Sequence, residues 1–331
     1  MKLKSIISLT LTISLTALLL LGCSSSADTK EAKKVSDYPA PEVSGIIQWG
    51  SGGGTDSLMR PLAKLAENPL GVSIHLENKT GNAGATATEY VYDEDADGYT
   101  LLMGAENPAL YDALDISDIT YEDFEPIIII GSEPTGIVVN GSSNYNTLTE
   151  LVNDALEHPD TIKIATAGKG SLPWVASSML SSVTGASFEE IAYDSDVTAK
   201  QAVLDGDCDF TICKVQIGLE DYNNGNLKYL SMLATEPVDQ LEGIPLISEE
   251  YPAFSEYLPW GPFYGVFVKK GTDQEIVDIL TDAFSTAYND AAYQDILTSF
   301  DIEPLGYTDG QATEYVKTWQ ENTVHALEHT N

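Results

Sequence analysis

The segment Gly50-Ser51-Gly52-Gly53-Gly54-Thr55-Asp56 holds the residues of this chain best suited to binding chemistry. A glycine-rich loop between a strand and a helix lets backbone N–H groups converge on an anion, and the positive end of the helix adds to the attraction. The loop lacks the Gly-Lys-Ser/Thr ending of a nucleotide loop, and it lacks Gly-x-Gly-x-x-Gly spacing in a dinucleotide setting. Its plainer role is a tight turn at a strand end. Residues 77–85 (Glu-Asn-Lys-Thr-Gly-Asn-Ala-Gly-Ala) and 166–171 (Thr-Ala-Gly-Lys-Gly-Ser) share its style. Several such loops predict a carboxylate or similar anion in a cleft, because ligands of open α/β sheets collect beyond the carboxyl ends of strands.

Arg60 is the only arginine in the chain. It has two candidate roles: a clamp on the anion, or an ion pair with Asp56 four residues earlier on the same helix. Its position a full turn beyond the loop favours the pair. Pro61 removes one backbone hydrogen bond and is expected to kink that helix. Trp49, Trp174 and Trp260 fall near expected cleft or hinge loops, where each has the choice of stacking on a ligand body or packing the hinge.

Enzymatic and metal chemistry find little support. The histidines, at 75, 158, 325 and 329, show no ligand spacing and no Cys/His cluster accompanies them, so no metal and no cofactor is expected. An exported hydrolase is the competing class, but no Gly-x-Ser-x-Gly elbow is present and no catalytic residue is assigned. Cys208 and Cys213 are five apart, on opposite faces if they share a strand. They are expected as buried free thiols rather than a disulfide.

The elements that position these loops alternate between strand and helix signals, which implies an α/β fold with mostly parallel sheets. Strands are expected over 43–49, 72–76, 99–103, 126–130, 162–166, 207–212 and 227–233. Helices are expected from 55, over 82–92, 148–156, 172–183 and 310–327, and through Ile276, Ile279, Leu280, Ala283, Phe284 and Ala287, which keep a helical period. Thr272 and Glu275 form a capping box at the start of that last-named helix.

The N-terminus carries its own signals. Lys2 and Lys4 precede a nearly unbroken apolar stretch over 6–21, then Gly22 and Cys23. Residues 1–22 read as a secretory signal, with Cys23 as the point of lipid attachment. A transmembrane helix is the competing reading, at the short end of the roughly 17–25 residues a span requires. Residues 23–43, rich in Ser, Ala, Asp, Lys and Pro, read as a flexible tether that buries too little surface to order itself. Removing residues 1–22 leaves 14 basic against 51 acidic side chains, a formal charge of −37. Such a body repels nucleic acid and anionic lipid headgroups.

The sequence resembles the substrate-binding receptors of tripartite tricarboxylate transporters, the Bug-type extracytoplasmic proteins. The resemblance covers about residues 44–328. It rests on Gly-Gly-Thr-Asp-Ser-Leu-Met-Arg (53–60), Glu-Asn-Lys-Thr-Gly-Asn-Ala-Gly (77–84), Asp-Gly-Tyr-Thr-Leu-Leu (97–102) and Tyr-Glu-Asp-Phe-Glu-Pro (121–126), with weaker matches at 168–171, 202–209 and 225–230. It implies a two-lobed, hinged fold of the periplasmic-binding-protein type (type II), each lobe a sheet flanked by helices. Lobe 1 would hold 44–140 and 260–331, and lobe 2 would hold 141–259. It implies a monomeric receptor, not an enzyme. Such a receptor closes around a small organic carboxylate and delivers it to an ion-gradient-driven permease with large and small subunits. Its place is the outer face of the cytoplasmic membrane, or the periplasm. Carried over by motif, the ligand contacts are Trp49, Ser51, Gly53, Gly54, Thr55 and Asp56 in the first lobe and Gly168, Gly170 and Ser171 in the second, with Tyr193, Asp194 and Asp209 nearby. The family commonly has Pro-Phe where this chain has Gln48-Trp49, and Tyr-Lys-Gly where it has Tyr193-Asp194-Ser195. An aspartate in place of a lysine shifts the expected ligand from a tricarboxylate toward a monocarboxylate, an amino acid or an aromatic acid. A receptor for an ATP-driven importer or a sensor with the same two lobes is the remaining alternative.

Overall fold

The computed structural model describes residues 38–104, 108–111 and 114–327. The chain divides into Met1–Tyr38 and Pro39–Asn331, and every element below lies in the second unit. The expected signal peptide, Cys23 and most of the tether lie outside the described residues. Strand β1 starts at Glu42, inside the segment expected to be tether.

The order is β1 (Glu42–Ile47), α1 (Gly54–Leu70), β2 (Ser73–Asn78), α2 (Ala85–Asp93), β3 (Thr100–Gly104), α3 (Pro108–Tyr111) and β4 (Phe124–Ser132). It continues with β5 (Thr135–Asn140), α4 (Leu148–Glu157), β6 (Lys163–Thr166), α5 (Leu172–Thr184), β7 (Glu189–Ala192), α6 (Asp196–Asp205), β8 (Phe210–Lys214), α7 (Val215–Asn223), β9 (Leu227–Met232) and α8 (Ile247–Glu250). It closes with β10 (Phe263–Lys269), α9 (Gln274–Tyr288), α10 (Ala291–Ser299), β11 (Glu303–Tyr307) and α11 (Asp309–Leu327).

Two sheets result, ordered β11-β4-β10-β3-β1-β2 and β7-β6-β8-β5-β9. Pairing is parallel in β1–β2, β1–β3, β6–β7 and β6–β8, and antiparallel where β10 meets β3 and β4, β11 meets β4, and β5 meets β8 and β9. The α/β class holds, but mostly parallel sheets are corrected to mixed ones. The reason is topological. A strand delivered by a helical crossover returns parallel, whereas β5 and β10 enter directly from the other sheet and insert reversed between two strands. The chain leaves the first sheet through Glu133-Pro134, ahead of the position 140 expected for the lobe change, because Thr135–Asn140 already pairs with β8 and β9. It returns through 258–262.

The burial explains the local choices. Ile127, Ile128, Ile129 and Ile130 of β4 are all fully buried, the continuous apolar run of a strand covered on both faces. On α1, Leu58, Met59, Leu62, Ala63 and Ala66 are buried at helical spacing, and the helix packs against α9, whose Leu280, Ala283 and Phe284 are buried too. Each fully buried Leu, Met or Phe among them contributes about 1.5–3 kcal/mol before ordering costs. The helix runs unbroken through Pro61, and it ends where Gly71 turns left-handed (φ 80°) and donates its N–H to the Glu67 carbonyl. The capping box expected of Thr272 is corrected as well. Asp273 caps α9 by accepting from the Glu275 N–H, while the Thr272 hydroxyl donates to the Lys269 carbonyl. Cys208 and Cys213 are free and buried, in separate apolar clusters.

Helix α11 packs on β4 of the first sheet and on α5 of the second. Its Trp319 is fully buried, donates from Nε1 to the Gly261 carbonyl at 2.8 Å, and stacks on Trp260 with ring centroids 6.0 Å apart. One apolar core thereby continues past the crossing segments from one sheet to the other.

Candidate functional site

A cleft of about 560 Å³ opens where the two sheets present their carboxyl ends. Its walls come from segments that follow β1 (Trp49, Gly54, Thr55), β2 (Ala83), β3 (Leu110, Leu114) and β4 (Glu133) on one side. On the other they follow β6 (Ala167, Lys169–Leu172), β7 (Asp196) and β8 (Lys214, Gln216). The returning segment adds Trp260, Gly261, Pro262 and Tyr264. This is the place where α/β sheets collect ligands.

The glycine loop is held from beneath by Asp56. Its Oδ2 accepts from the Gly52 N–H and from Arg60 Nε, both at 2.9 Å, and its Oδ1 accepts from Asn78 Nδ2 at 2.8 Å and lies 2.8 Å from Arg60 Nη2. Burial pulls the Asp56 pKa up, but these bonds and the arginine charge outweigh it and hold the carboxyl at about 2. Asn78 also donates to the Trp49 carbonyl at 2.7 Å, and Arg60 Nη2 donates to Asn78 Oδ1 at 2.6 Å. The carboxylate expected to face a ligand is therefore consumed by the chain, and Arg60 completes its ion pair. Close by, the fully buried Gln48 donates to Thr88 Oγ1 at 2.8 Å, and Thr88 pairs with the Tyr111 hydroxyl at 3.1 Å. A Cβ at Gly104 would lie 1.8 Å from Gln48 Oε1, so that glycine makes room for the network.

The facing loop is equally tied down. The Ala167 N–H donates to Ser171 Oγ at 3.1 Å, the Ser171 N–H donates to the Gly168 carbonyl at 3.0 Å, and the Gly168 N–H donates to Thr166 Oγ1 at 3.2 Å. Gly168 and Gly170 both have positive φ, 86° and 83°. A Cβ at Gly170 would stand 2.5 Å from Leu114 Cδ1 across the cleft.

Helices α1, α5 and α7 reach the cleft by their N-termini, and none of the three is closed by a side-chain cap. Helices α4, α9 and α10, which contribute nothing to its walls, are each capped by Thr or Asp. The first N–H groups of a helix have no partner within it, so donors of α1 and α5 point at one space, while at the start of α7 the Val215 N–H is taken by the Pro134 carbonyl at 2.9 Å. Charge is mixed there. Lys214 Nζ lies 2.8 Å from Glu133 Oε2, whose side chain is 4% exposed. Burial raises the Asp196 carboxyl above its ordinary range, Lys214 pulls it back, and Glu133 pushes it further up.

Of the residues expected at the site, Trp49, Gly54, Thr55, Gly170 and Ser171 line the cleft, and Ser51, Gly53, Asp56, Gly168, Tyr193, Asp194 and Asp209 do not. Asp209 sits at the opposite end of β8, where its carboxylate accepts from the Lys163 N–H at 2.7 Å. The Tyr193 hydroxyl meets Cys208 Sγ at 3.5 Å. Asp194 is exposed. Trp260 forms part of the wall from within the hinge stack. Trp174 lines a separate groove with Ser177, Ser181 and Phe188. Glu133, Asp196, Lys214, Gln216, Tyr264 and Trp319 went unforeseen. Lys214 was hidden because the strand was expected to stop at 212, two residues short of its carboxyl end. Among the described residues no group of His, Cys, Asp or Glu is placed to hold a metal ion, and no helix is long and apolar enough to cross a membrane.

Two mixed α/β sheets joined by two crossings around a cleft define a fold of the periplasmic-binding-protein type II class. Residues 58–327 match the model of the TctC family, described as the tripartite tricarboxylate transporter family receptor. This chain belongs to that family, which is one of transport receptors and not of enzymes. It is similar to Protein BugT of Bordetella pertussis, with 26% identity over 284 residues, 84% of this chain and 86% of BugT. Its fold is similar to that of a TctC solute-binding protein from Polaromonas (TM-score 0.77, 23% identity, 89% of this chain and 99% of that one). It is also similar to that of MatC from Rhodopseudomonas palustris with bound malate (TM-score 0.70, 21% identity, 89% and 100%).

Proposed function

We propose that this chain captures a small organic carboxylate in the cleft between its sheets and delivers it to an ion-gradient-driven permease of large and small membrane subunits. The observation that carries this reading is the convergence of the open N-termini of α1, α5 and α7 on one cavity. The starts of α1 and α5 supply backbone N–H groups, and all three helices bring the positive end of a helix dipole. Donors from α1 belong to one sheet and donors from α5 to the other, so a carboxylate bridging them favours the closed arrangement by its differential contacts. Family membership supports the permease, and the malate-bound relative supports the ligand chemistry. The acidic surface does not oppose capture, because charges farther than about 8 Å are screened at physiological salt.

The direct test is a thermal-shift and calorimetric panel of mono- and dicarboxylates, among them malate, benzoate and glutarate, with neutral sugars as controls. At least one carboxylate is expected to raise the melting temperature with saturation, as a ligand of the native state must. A panel in which only neutral solutes bind would sink the reading.

The same proposal holds the mature chain at the outer face of the membrane through a lipid on Cys23. Cell fractionation tests this part. The wild-type chain is expected with membranes and Cys23→Ser in the soluble or secreted fraction, and an unchanged distribution would refute the anchor.

A further inference from the structure

The charge pattern of the cleft narrows the ligand beyond a simple carboxylate, an inference that rests on the receptor reading above. Two bases and two acids line the cavity: Lys169, Lys214, Glu133 and Asp196. They are not equivalent. Lys214 and Glu133 are 2.8 Å apart and neutralise each other. Lys169 is exposed, with Nζ 5.9 Å from the ring of Trp174, which faces a different groove. Among the described residues Asp196 has no side-chain hydrogen bond and no ion pair.

Asp196 is the first residue of α6, where the helix dipole favours a negative charge. Yet burial and the Glu133 carboxylate work against that charge, and Lys214 compensates it only in part. The protein therefore keeps an acid in the wall of its cleft and leaves it short of positive charge. A ligand bearing only carboxylates would meet repulsion from this side chain, whereas a ligand bearing an ammonium would supply the missing cation. Trp49, Leu172, Val175 and Ile217 add an apolar stretch to the wall.

We propose that the ligand is an amino acid, its carboxylate held by the open N-termini of α1 and α5, its ammonium by the Asp196 carboxylate, and its apolar body by Trp49 and the Leu172–Val175 side of α5. Both charged ends are then matched without adding net charge to the cavity.

Matched pairs that differ only in the amine provide the test: phenylalanine against 3-phenylpropionate, leucine against 4-methylpentanoate, and glutamate against glutarate. Each is titrated calorimetrically into the wild-type chain and into Asp196→Asn. The substitution should leave the fold intact, since the capping box of α6 is made by Ser195 and Thr198 alone. A hydrogen bond between charged groups predicts that the best amino acid binds at least roughly tenfold more tightly than its partner. That preference should fall to within about threefold in Asp196→Asn. A des-amino acid that binds as well as its amino acid overturns the ammonium site and leaves the carboxylate receptor standing. A preference that survives Asp196→Asn overturns the role of Asp196. If no member of any pair binds, and no other carboxylate does, the receptor reading itself fails.

Discussion

At Asp56 burial and hydrogen bonding pull in opposite directions, and the bonds win. Five donors (the Gly52 N–H, the Ser51 hydroxyl, Arg60 Nε and Nη2, and Asn78 Nδ2) satisfy one carboxylate, so its charge is held against the opposing effect of burial. Arg60 cannot be exchanged for lysine without loss, because a single ammonium cannot reproduce two parallel N–H bonds and a third to Asn78. Arg60→Lys is expected to lower stability by about 1–2 kcal/mol, read from denaturant midpoints, while ligand affinity changes little because Arg60 does not line the cleft. A large affinity loss in an otherwise stable variant would contradict this. The sign of the pH effect follows from the depressed pKa. The Asp56 contribution is complete above its ordinary value of 3.8 and is lost as pH falls through about 2. The stability gap between the wild type and Asp56→Asn should therefore be widest above pH 4 and close towards pH 2. A gap independent of pH over that range would show that Asp56 is not the ionised hub of the loop.

Among the elements, legibility followed burial and periodicity. The long amphipathic helices α1, α9 and α11 and the strands β1 to β4, β6, β8 and β9 were evident, because their apolar residues repeat at the spacing of their own secondary structure. The short strands β7 and β11 were not, and neither were β5 and β10, although Thr-Gly-Ile-Val-Val-Asn and Phe-Tyr-Gly-Val-Phe-Val-Lys are rich in strand formers. Strands β5 and β10 each follow a proline-bearing crossing segment instead of a helix, so the strand–helix alternation that identified the others was missing. Their omission made the sheets look parallel and put the first crossing at 140 instead of at Glu133-Pro134. The candidate site was legible only where backbone does the work. Glycine loops announce themselves by composition, whereas Glu133, Asp196 and Lys214 become neighbours through pairing across the second sheet and the crossing, which no local spacing encodes. Asp209 shows the converse: its neighbours resemble a ligand loop in sequence, but it stands at the amino end of β8, a strand length from the cleft.

At the scale of the whole molecule, the balance of 16 basic against 51 acidic residues sets how the fold responds to its medium. Ion pairs such as Lys64–Glu67, Lys79–Glu77 and Lys317–Glu321 sit at the surface, where each contributes little. Even if every base were paired, most of the acids would still face one another across water. Self-repulsion of a body with this charge destabilises the compact state, and salt screens it once the Debye length falls towards about 10 Å at 0.1 M. Added salt weakens the few attractive pairs as well, but the excess of acids makes relief of repulsion the stronger effect. The melting temperature is therefore expected to rise as sodium chloride increases from 10 to 200 mM. In a body of this size the rise should be roughly 2–4 °C for each kcal/mol of repulsion relieved. Differential scanning calorimetry on the ligand-free chain reads this directly. A melting temperature that falls with salt would mean that the surface pairs, and not the unpaired carboxylates, dominate the electrostatics of the fold.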